Sequence, residues 1–373
     1  MNPKPIIRPS TLSQALICPP SVRMNTLFPN RGSEYATEGT AAHKLLELCL
    51  KDGKRPYSFV GTELDIEGGA VLVTAEMASC IEEALDFIET QEEFVFSIET
   101  EKSAGLAKYG LSEGTIDVTL RGLVHTYIID YKHGAGVAVD VEDNAQLMAY
   151  ALPEAEAAPD SVIKLVIIQP RAGGIKVATV HASEILGLLP RIKEAWSKID
   201  DPNAFNPHIK ACQFCNAKGH CSALRTVAED WMYQAKGLLM FGEFKELDTM
   251  KLAELADKAE LVQSWAKGVR DAIKNALADG KTVPGYVLEQ GAKGHRRWIS
   301  EPGALQVLTN LLGQDAYAPA TVIPPAQAEK KLGKKIWAAE RLDELITRPV
   351  GEPKVKKVDV VGINEFTEFE GVF

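Results

Sequence analysis

The amino-acid sequence predicts an α/β fold in which helices flank a mixed β-sheet, followed by a mainly helical C-terminal region. Apolar residues at helical spacing are frequent before residue 91, and short segments rich in β-branched and aromatic residues recur between 94 and 170. Charged helical sequence then fills residues 246–279. We expect a boundary between two regions near 225–245, where the composition changes.

Three helices are expected around the sheet. Residues 39–51 have an amphipathic pattern that begins at Thr40, a residue type that caps helix N-termini, and ends at Gly53. A second helix is expected over 74–91. The third, over 143–152, lies between the last two strands of the sheet.

Four strands are expected because their segments are short, β-branched and aromatic: 94–99, 114–120, 126–132 and 162–170. The order of helix, three strands, helix, strand and helix indicates an α/β sandwich around a mixed sheet. In the C-terminal region, a hairpin is expected at 283–298, around a glycine-containing turn.

The composition is that of a globular protein. Of 373 residues, 46% are apolar and 25% are charged. No stretch approaches the roughly 18 apolar residues of a membrane span, and the first residues lack the apolar core of a signal peptide, so a cytoplasmic location is expected. The net charge of −10 argues against a uniformly basic surface for nucleic acid, although residues 281–357 carry 13 Lys and Arg against 8 Asp and Glu.

Two carboxylates and a lysine are expected to meet on the sheet. Asp130 and Lys132 are two residues apart on a predicted strand, so their side chains share one face. Asp117 lies on the preceding strand, and the short link 121–125 lets the two strands pair as a hairpin. This set fits phosphodiester hydrolysis with Mg²⁺ or Mn²⁺, although D-x-K alone also occurs on solvated strand edges.

Two helices carry further candidate residues. His43 and Glu47 are four residues apart and share one helix face, and an imidazole suits a Mn²⁺-tolerant site. Gln146 and Tyr150 have the same spacing on the helix after the D-x-K strand. Either pair by itself also fits an ordinary helix surface.

Four of the six cysteines have the spacing of a metal site. The pattern C-x₂-C-x₅-C supplies three thiolates from a polar, glycine-containing loop: Cys212, Cys215 and Cys221. Cys18 is the N-terminal candidate for the fourth ligand, whereas Cys49 and Cys80 lie in predicted helices and are expected to be core thiols. Thiolates suit zinc and iron–sulfur clusters alike, so the spacing leaves both open.

Taken in order, four motifs of this chain resemble the RecB-like branch of the PD-(D/E)XK nucleases: His43, the G-x-x-D from Gly114 to Asp117, the D-x-K from Asp130 to Lys132, and the Q-x-x-x-Y from Gln146 to Tyr150. That branch includes the nuclease domains of bacterial recombination helicases and the exonucleases of CRISPR adaptation. The resemblance covers about residues 10–225. It implies a PD-(D/E)XK nuclease domain over 1–225 and an α-rich region over 226–373 that binds DNA or a partner.

The resemblance also implies a role for each matching residue: metal ligands His43, Asp117, Asp130 and the backbone carbonyl of Tyr131; catalytic lysine Lys132; and Gln146 with Tyr150 near the substrate phosphate. The metal would be Mg²⁺ or Mn²⁺. Glu99 and Glu113 are additional carboxylates that would either support a second metal or lie on the surface.

Several members of the RecB-like family carry one cysteine before the nuclease core and C-x₂-C-x₅-C after it, and these residues ligate a [4Fe–4S] cluster. The same arrangement here implies a cluster held by Cys18, Cys212, Cys215 and Cys221, with Zn²⁺ as the alternative. Such a cluster would join the two ends of the nuclease domain, so that metal binding would stabilise the fold.

The whole chain also resembles an uncharacterised phage and prophage nuclease family. The function implied is a metal-dependent DNA exonuclease of phage recombination, replication or repair, acting in the bacterial host cytoplasm and not at a membrane. DNA is the expected partner, together with a phage single-strand-binding or annealing protein. The alternatives are a structure-specific endonuclease and a non-catalytic DNA-binding or scaffold protein that retains the fold.

Two C-terminal segments, 291–298 and 330–337, combine basic residues with a tryptophan. Lysine and arginine, such as Arg296 and Arg297, contact phosphate, and exposed aromatic rings stack on unpaired bases. The alternative is a basic surface over a core that contains Trp298 and Trp337.

Overall fold

The computed structural model describes residues 5–28, 34–67, 69–91, 95–240, 249–291, 297–298, 301–318, 321–322, 325–347 and 351–357. Two compact units divide the chain. The first comprises Met1–Ala217 and Thr226–Leu261, and the second comprises Lys218–Arg225 and Val262–Phe373. The division into 1–225 and 226–373 stays a prediction.

Eight helices precede residue 213 in the described part of the chain: α1 (Leu12–Ile17), α2 (Ser21–Leu27), α3 (Glu34–Asp52), α4 (Ala75–Glu89), α5 (Ala145–Ala157), α6 (Ala182–Leu186), α7 (Leu188–Ser197) and α8 (Ile209–Cys212). The longer helices α9 (Ser222–Met240) and α10 (Thr249–Ala278) follow. Within the described ranges, none of the helices combines the length and the apolar character that crossing a bilayer requires.

Local sequence explains where the predicted helices begin. The Thr74 side chain caps α4 by accepting a hydrogen bond from the Met77 amide, and the Asn144 side chain caps α5 in the same way for Leu147. The N-cap predicted at Thr40 is wrong, because α3 already begins at Glu34. The residues before Thr40 continue the helix, and Gly39 is tolerated inside it.

A five-stranded sheet lies at the centre of the first unit. A small antiparallel hairpin precedes it, formed by β1 (Glu63–Ile66) and β2 (Gly69–Leu72). The strands of the sheet follow one another in space as they do in sequence: β3 (Val95–Ser103), β4 (Thr115–Gly122), β5 (Thr126–Tyr131), β6 (Val162–Gln169) and β7 (Gly174–His181). β5 and β6 run parallel and all other neighbours antiparallel, so the predicted mixed sheet is confirmed.

Apolar side chains cover both faces of this sheet. On one face, Leu45 of α3 and Ile81 of α4 share a buried cluster with Ile129 of β5. On the other face, Leu147 of α5 shares a second buried cluster with Ile128. Adjacent residues of β5 thus face opposite helical layers, as the two-residue period of a strand requires. The first unit is a mixed α/β structure with helices on both sides of its sheet.

The second unit contains α11 (Glu301–Leu312), α12 (Pro325–Ala339) and six short strands: β8 (Tyr286–Gly291), β9 (Arg297–Trp298), β10 (Tyr317–Ala318), β11 (Thr321–Val322), β12 (Ile346–Thr347) and β13 (Gly351–Lys357). The hairpin predicted at 283–298 is wrong. β8 pairs with β13 and β9 with β12, whereas β10 pairs with β11. A glycine-containing segment between two strands suggests a local turn, but here the partner strands come from the end of the chain.

Candidate functional site

The carboxyl end of β5 carries the residues of the candidate site. Val118 of β4 pairs with Ile129 of β5 in the antiparallel ladder. Asp117 directly precedes the first of these residues and Asp130 directly follows the second, so the two carboxylates emerge from neighbouring strands at the same end of the hairpin. The fold therefore provides a rigid base for both acidic groups.

One half of the site is formed by Asp117 and α3. His43 Nδ1 lies 3.0 Å from Asp117 Oδ1, and the backbone amide of Tyr131 donates a hydrogen bond of 2.8 Å to Asp117 Oδ2. The edge of the His43 ring meets the Tyr131 ring at a centroid distance of 5.6 Å. Asp117 is thus held by a helix on one side and by the neighbouring strand on the other.

The other half of the site is formed by Asp130 and α5. Lys132 Nζ lies 2.7 Å from Asp130 Oδ2, and Gln146 Nε2 donates to Asp130 Oδ1 at 3.1 Å and to the Tyr150 hydroxyl at 3.4 Å. A Cβ added to Gly114 would lie 2.9 Å from the Tyr150 ring, so a side chain at this position would displace the tyrosine. The Gly114 that begins the G-x-x-D motif therefore makes room for the tyrosine of the Q-x-x-x-Y motif.

Burial and mutual charge set the electrostatics of the site. Burial raises the pKa of Asp130 to about 6, with the nearby Asp117 charge acting in the same direction and Lys132 opposing it. Burial by itself would lower the pKa of His43. The hydrogen bond and the charge of Asp117 outweigh burial, so the net effect is a raised pKa. The Asp117 charge next to the buried Asp130 disfavours ionisation of Asp130, which is an arrangement that a bound cation would relieve.

The donor set suits a hard divalent cation. Asp117, Asp130, the Tyr131 carbonyl and His43 offer oxygen and imidazole ligands of the kinds that Mg²⁺ and Mn²⁺ accept. Asp130 Oδ2 is buried, and its charged partner is the Lys132 ammonium at 2.7 Å. In those same residues, no three His, Cys, Asp or Glu side chains are already arranged around a common metal position. His43 pairs instead with Asp117, and Asp130 with Lys132.

Three carboxylates considered from the sequence make contacts outside this centre. Glu113 accepts hydrogen bonds from the Ser103 hydroxyl and from the amides of Gly105 and Ala107, which fix the loop after β3 and lower the pKa of Glu113. Glu99 pairs with Arg121 at 2.7 Å. Glu47 pairs with Lys44 and Lys51 on its own helix.

A polar chain beside the centre is absent from the sequence prediction. The Tyr131 hydroxyl lies 2.9 Å from His133 Nδ1, and His133 Nε2 lies 3.3 Å from Glu38 Oε1. Arg171 Nη1 donates to the same Glu38 oxygen at 3.1 Å. Burial lowers the pKa of His133. Strand periodicity places His133 on the face of Tyr131, but nothing local indicates the contacts with Glu38 and Arg171.

The four candidate metal-binding cysteines lie at the ends of helices. Cys18 follows α1, Cys212 ends α8, and Cys215 lies in the next turn, where its amide donates to the Cys212 carbonyl at 3.1 Å. Cys221 precedes α9, and its sulfur accepts a hydrogen bond of 3.5 Å from the Leu224 amide. All six cysteines are among the described residues and none forms a disulfide. Cys18, Cys212 and Cys215 belong to the first unit and Cys221 to the second, so the four-thiolate site stays a prediction.

Hydrogen bonds tie the segment around Cys18 to the segment around Cys212. Gln14 Nε2 donates to the Ala211 carbonyl at 3.0 Å, across 197 residues of sequence. Asn206 Nδ2 donates to the Ile17 carbonyl at 3.1 Å, and the Asn216 amide donates to Asn25 Oδ1 at 2.9 Å. The two ends of the predicted nuclease domain therefore meet through these bonds.

Cys49 and Cys80 are buried in α3 and α4, as expected of core thiols. Burial raises the pKa of the Cys49 thiol to about 11 and raises that of Cys80. Neither environment favours a reactive or metal-bound thiolate.

The family model described as "Protein of unknown function (DUF2800)" matches residues 6–359. The chain belongs to the DUF2800 family. Among solved structures, the chain is similar to one described as "Crystal structure of SSO0001", at 13% sequence identity and a TM-score of 0.29. That match covers 60% of this chain and 88% of the other.

In this DUF2800 protein, both tryptophans of the C-terminal basic segments are core residues. Trp298 and Trp337 are 9% and 4% exposed, and their ring centroids lie 6.1 Å apart. The Trp337 indole donates to Asp343 at 3.0 Å. Stacking of these rings on bases is therefore excluded in this conformation. Arg296 and the side chain of Arg297 lie outside the described residues, as does the turn at 292–296.

Proposed function

We propose that this protein is a metal-dependent DNA exonuclease with a RecB-like PD-(D/E)XK core. The observation that carries the proposal is the meeting of Asp117, Asp130 and Lys132 at one end of a β-hairpin, with Lys132 Nζ 2.7 Å from the buried Asp130 carboxylate. A buried acid such as Asp130, paired with a second carboxylate nearby, is unfavourable in a purely structural role. The pair is explained if the acids hold a cation and the lysine serves the reaction.

Asp130, Asp117, His43 and the Tyr131 carbonyl would hold Mg²⁺ or Mn²⁺. When bound, the cation would polarise the scissile phosphodiester and provide a nucleophile at neutral pH. The Tyr131 amide fixes one oxygen of Asp117, and Gln146 fixes one oxygen of Asp130. The second oxygen of Asp117 lies against His43, and that of Asp130 lies against Lys132. Both carboxylates are thus held in place before substrate binds, which reduces the reorganisation needed before reaction.

Lys132 contributes positive charge next to the reacting phosphate. Its side chain is 29% exposed and its ammonium pairs with Asp130, so the group is anchored by the protein and still reachable by substrate. In this position it would orient the attacking water or offset the charge that develops on the phosphoryl oxygens. Gln146 and Tyr150 place an amide and a hydroxyl next to Asp130 on the α5 side, where they would contact a phosphate oxygen of the substrate.

The test of this function is a digestion of DNA labelled at the 5′ or the 3′ end, linear or circular, with Mn²⁺ or Mg²⁺ present or removed by chelator. An exonuclease releases label from one end of linear DNA and leaves circles intact. Cleavage of circles or of branched junctions would instead identify an endonuclease. DNA binding without any cleavage at saturating metal would identify a non-catalytic protein and overturn the proposal.

We further propose that Cys18, Cys212, Cys215 and Cys221 hold a [4Fe–4S] cluster. These four cysteines form no disulfides, so their thiols are available as ligands. The sulfur of Cys221 accepts a hydrogen bond from a backbone amide. A hydrogen bond from Gln14 to the Ala211 carbonyl joins the Cys18 and Cys212 segments. Anaerobically purified protein should be brown and contain about four irons per chain. Cys221→Ser should lose the colour, whereas Cys49→Ser should keep it. Stoichiometric zinc in colourless wild-type protein would replace the cluster by a zinc site.

A further inference from the structure

A buried polar chain leads from Tyr131 to the surface of the first unit. It runs from the Tyr131 hydroxyl to His133 Nδ1, from His133 Nε2 to Glu38 Oε1, and from Glu38 to Arg171, at distances of 2.9, 3.3 and 3.1 Å. Arg171 Nε also pairs with Glu76 at 3.1 Å. Tyr131 is fully buried and His133 is 5% exposed, whereas the Glu38 side chain is 40% exposed.

The direction of each hydrogen bond in this chain is fixed by its outer end. A carboxylate only accepts hydrogen bonds, so Glu38 requires the hydrogen of His133 on Nε2. Nδ1 is then left to accept, and the Tyr131 hydroxyl donates to it. The chain is therefore an ordered series of donors and acceptors that orients the tyrosine ring from its far end.

Tyr131 connects this series of hydrogen bonds to the carboxylate centre. Its backbone amide donates to Asp117 Oδ2 at 2.8 Å, and its ring meets the His43 ring edge to face. Glu38 and His43 both belong to α3, so α3 is attached to this end of β5 and its neighbour at two points, through Glu38 to His133 and through His43 to Asp117. Tyr131 thus contacts two metal-ligand candidates, Asp117 through its backbone amide and His43 through its ring.

Packing alone does not explain the polar atoms. A phenylalanine at Tyr131 and an apolar residue at His133 would fill the same volume without desolvating a hydroxyl and an imidazole. A buried polar network whose members are all hydrogen-bonded fixes the orientation of each member. These hydrogen bonds therefore hold the Tyr131 ring in one orientation.

We propose that His133 and Glu38 are positioning residues that act through Tyr131 on the candidate metal centre. The proposal rests on the proposed function insofar as that centre binds a divalent cation. Partners beyond the ligands themselves orient metal sites in general, and their loss typically weakens metal affinity or activity about 10- to 100-fold.

The first test is Tyr131→Phe, with Mn²⁺ affinity measured by the electron paramagnetic resonance signal of free Mn²⁺ in the full-length protein. We expect the dissociation constant to rise about 10-fold or more. The matched control is Tyr109→Phe, which also removes one phenolic hydrogen bond, to Glu156 at 2.8 Å. Tyr109 does not belong to the series of hydrogen bonds from Tyr131 to Arg171. Wild-type Mn²⁺ affinity in Tyr131→Phe would overturn the proposal.

A second pair of variants decides the question if Tyr131→Phe does not fold. Glu38→Ala removes the acceptor for His133, whereas Glu38→Gln retains an amide oxygen that accepts from Nε2. We expect Mn²⁺ affinity to fall in Glu38→Ala and to be largely restored in Glu38→Gln. Glu76→Gln changes the other carboxylate on Arg171 and should leave affinity unchanged. Equal affinities in Glu38→Ala and Glu38→Gln contradict a hydrogen-bonding role for Glu38.

Wild-type protein separates the two proposals. If it binds Mn²⁺ but cleaves no DNA, the exonuclease assignment fails and the variants still decide the positioning chain. If it binds no Mn²⁺, the metal centre and the positioning chain are both overturned.

Discussion

The carboxylate centre and the cysteine-bearing segments of the first unit are held in place by different kinds of interaction. At the centre, ionisable groups face one another around the buried Asp130: Asp130 lies against Lys132, and Asp117 against His43. Around Cys18 and Cys212, neutral side chains bond to backbone groups, as Gln14 does to the Ala211 carbonyl. Charged groups respond to protons and cations, whereas neutral bonds of this kind only fix geometry.

Substitutions in these two regions should therefore have different effects, on chemistry at the centre and on stability beside the cysteines. A buried acid with a raised pKa makes the folded protein less stable at neutral pH, which is tolerated at sites that serve a reaction. The buried side-chain amide of Gln14 does not destabilise the fold in this way, because its nitrogen and its oxygen both form hydrogen bonds. Substitutions at the centre should therefore affect cleavage first, and substitutions beside the cysteines should affect unfolding first.

The largest expected effect tests the centre. Lys132→Ala should lower the rate of DNA cleavage about 100- to 1,000-fold, because it removes positive charge from the reacting phosphate. Lys176→Ala is a matched control, since Lys176 is also 29% exposed and paired with an aspartate, at 3.1 Å from Asp140. Single-turnover rates at saturating metal are the measurement. If both variants cleave at the same rate, Lys132 has no part in the reaction.

The next effect tests the cysteine segments. Gln14→Ala leaves the Ala211 carbonyl and the Asn25 amide without their partner and should lower the free energy of unfolding by about 2–3 kcal/mol. Cleavage well below the melting temperature should stay near the wild-type rate. Gln91→Ala, which breaks only local contacts, should change stability by less than about 0.5 kcal/mol. A fall in cleavage without a fall in stability would erase the distinction between the regions.

The third prediction concerns how the stability of the protein depends on pH through Asp130. Burial raises the pKa of Asp130 to about 6, above the roughly 3.9 of an unfolded aspartate. The folded protein therefore binds this proton more tightly than the unfolded chain, so the stability that Asp130 contributes is full below about pH 4 and is lost as the pH rises through 6. At pH 7.5, metal-free Asp130→Asn should be more stable than wild type by on the order of 2 kcal/mol.

Urea unfolding at pH 4.5, 6 and 7.5 measures this difference, which should shrink towards the acidic end. Asp140→Asn is the control, because the Asp140 side chain is 86% exposed and its substitution should have nearly the same effect at each pH. A constant difference between Asp130→Asn and wild type across the range would show that Asp130 ionises as an ordinary aspartate.

The smallest expected effect concerns Gly219, which lies between Cys215 and Cys221. A Cβ on Gly268 of α10 would lie 2.5 Å from the Gly219 amide nitrogen, so the two backbones touch in the second unit. Gly268→Ala should lower stability by roughly 1 kcal/mol, because the clash exceeds the gain in helix propensity. Gly39→Ala, in α3 with no atom within 4 Å, should raise stability instead. Thermal unfolding distinguishes the two signs.

The sequence predicts the sheet well because each strand carries its own periodicity. β4, β5 and β6 lie where β-branched residues predict them, and α4 and α5 begin at Thr74 and Asn144, whose side chains cap them. The edge strand β7 is missed, because its segment contains fewer large apolar residues than 162–170. The hairpin at 283–298 is wrong because β8 finds its partner in β13 rather than in its neighbour.

The order of the elements can be read from the amino-acid sequence. So can the placement of Asp130 and Lys132 on one face, because a strand repeats every two residues. Three features arise only when the chain folds: the burial of Asp130, the contact of His43 with Asp117, and the link from Tyr131 to Glu38 and Arg171. Glu38 and Arg171 are 133 residues apart in sequence. The periodicity of a segment shows which of its residues face the core. Contacts between distant segments depend on how the helices and the sheet pack together, and that packing exists only in the folded chain.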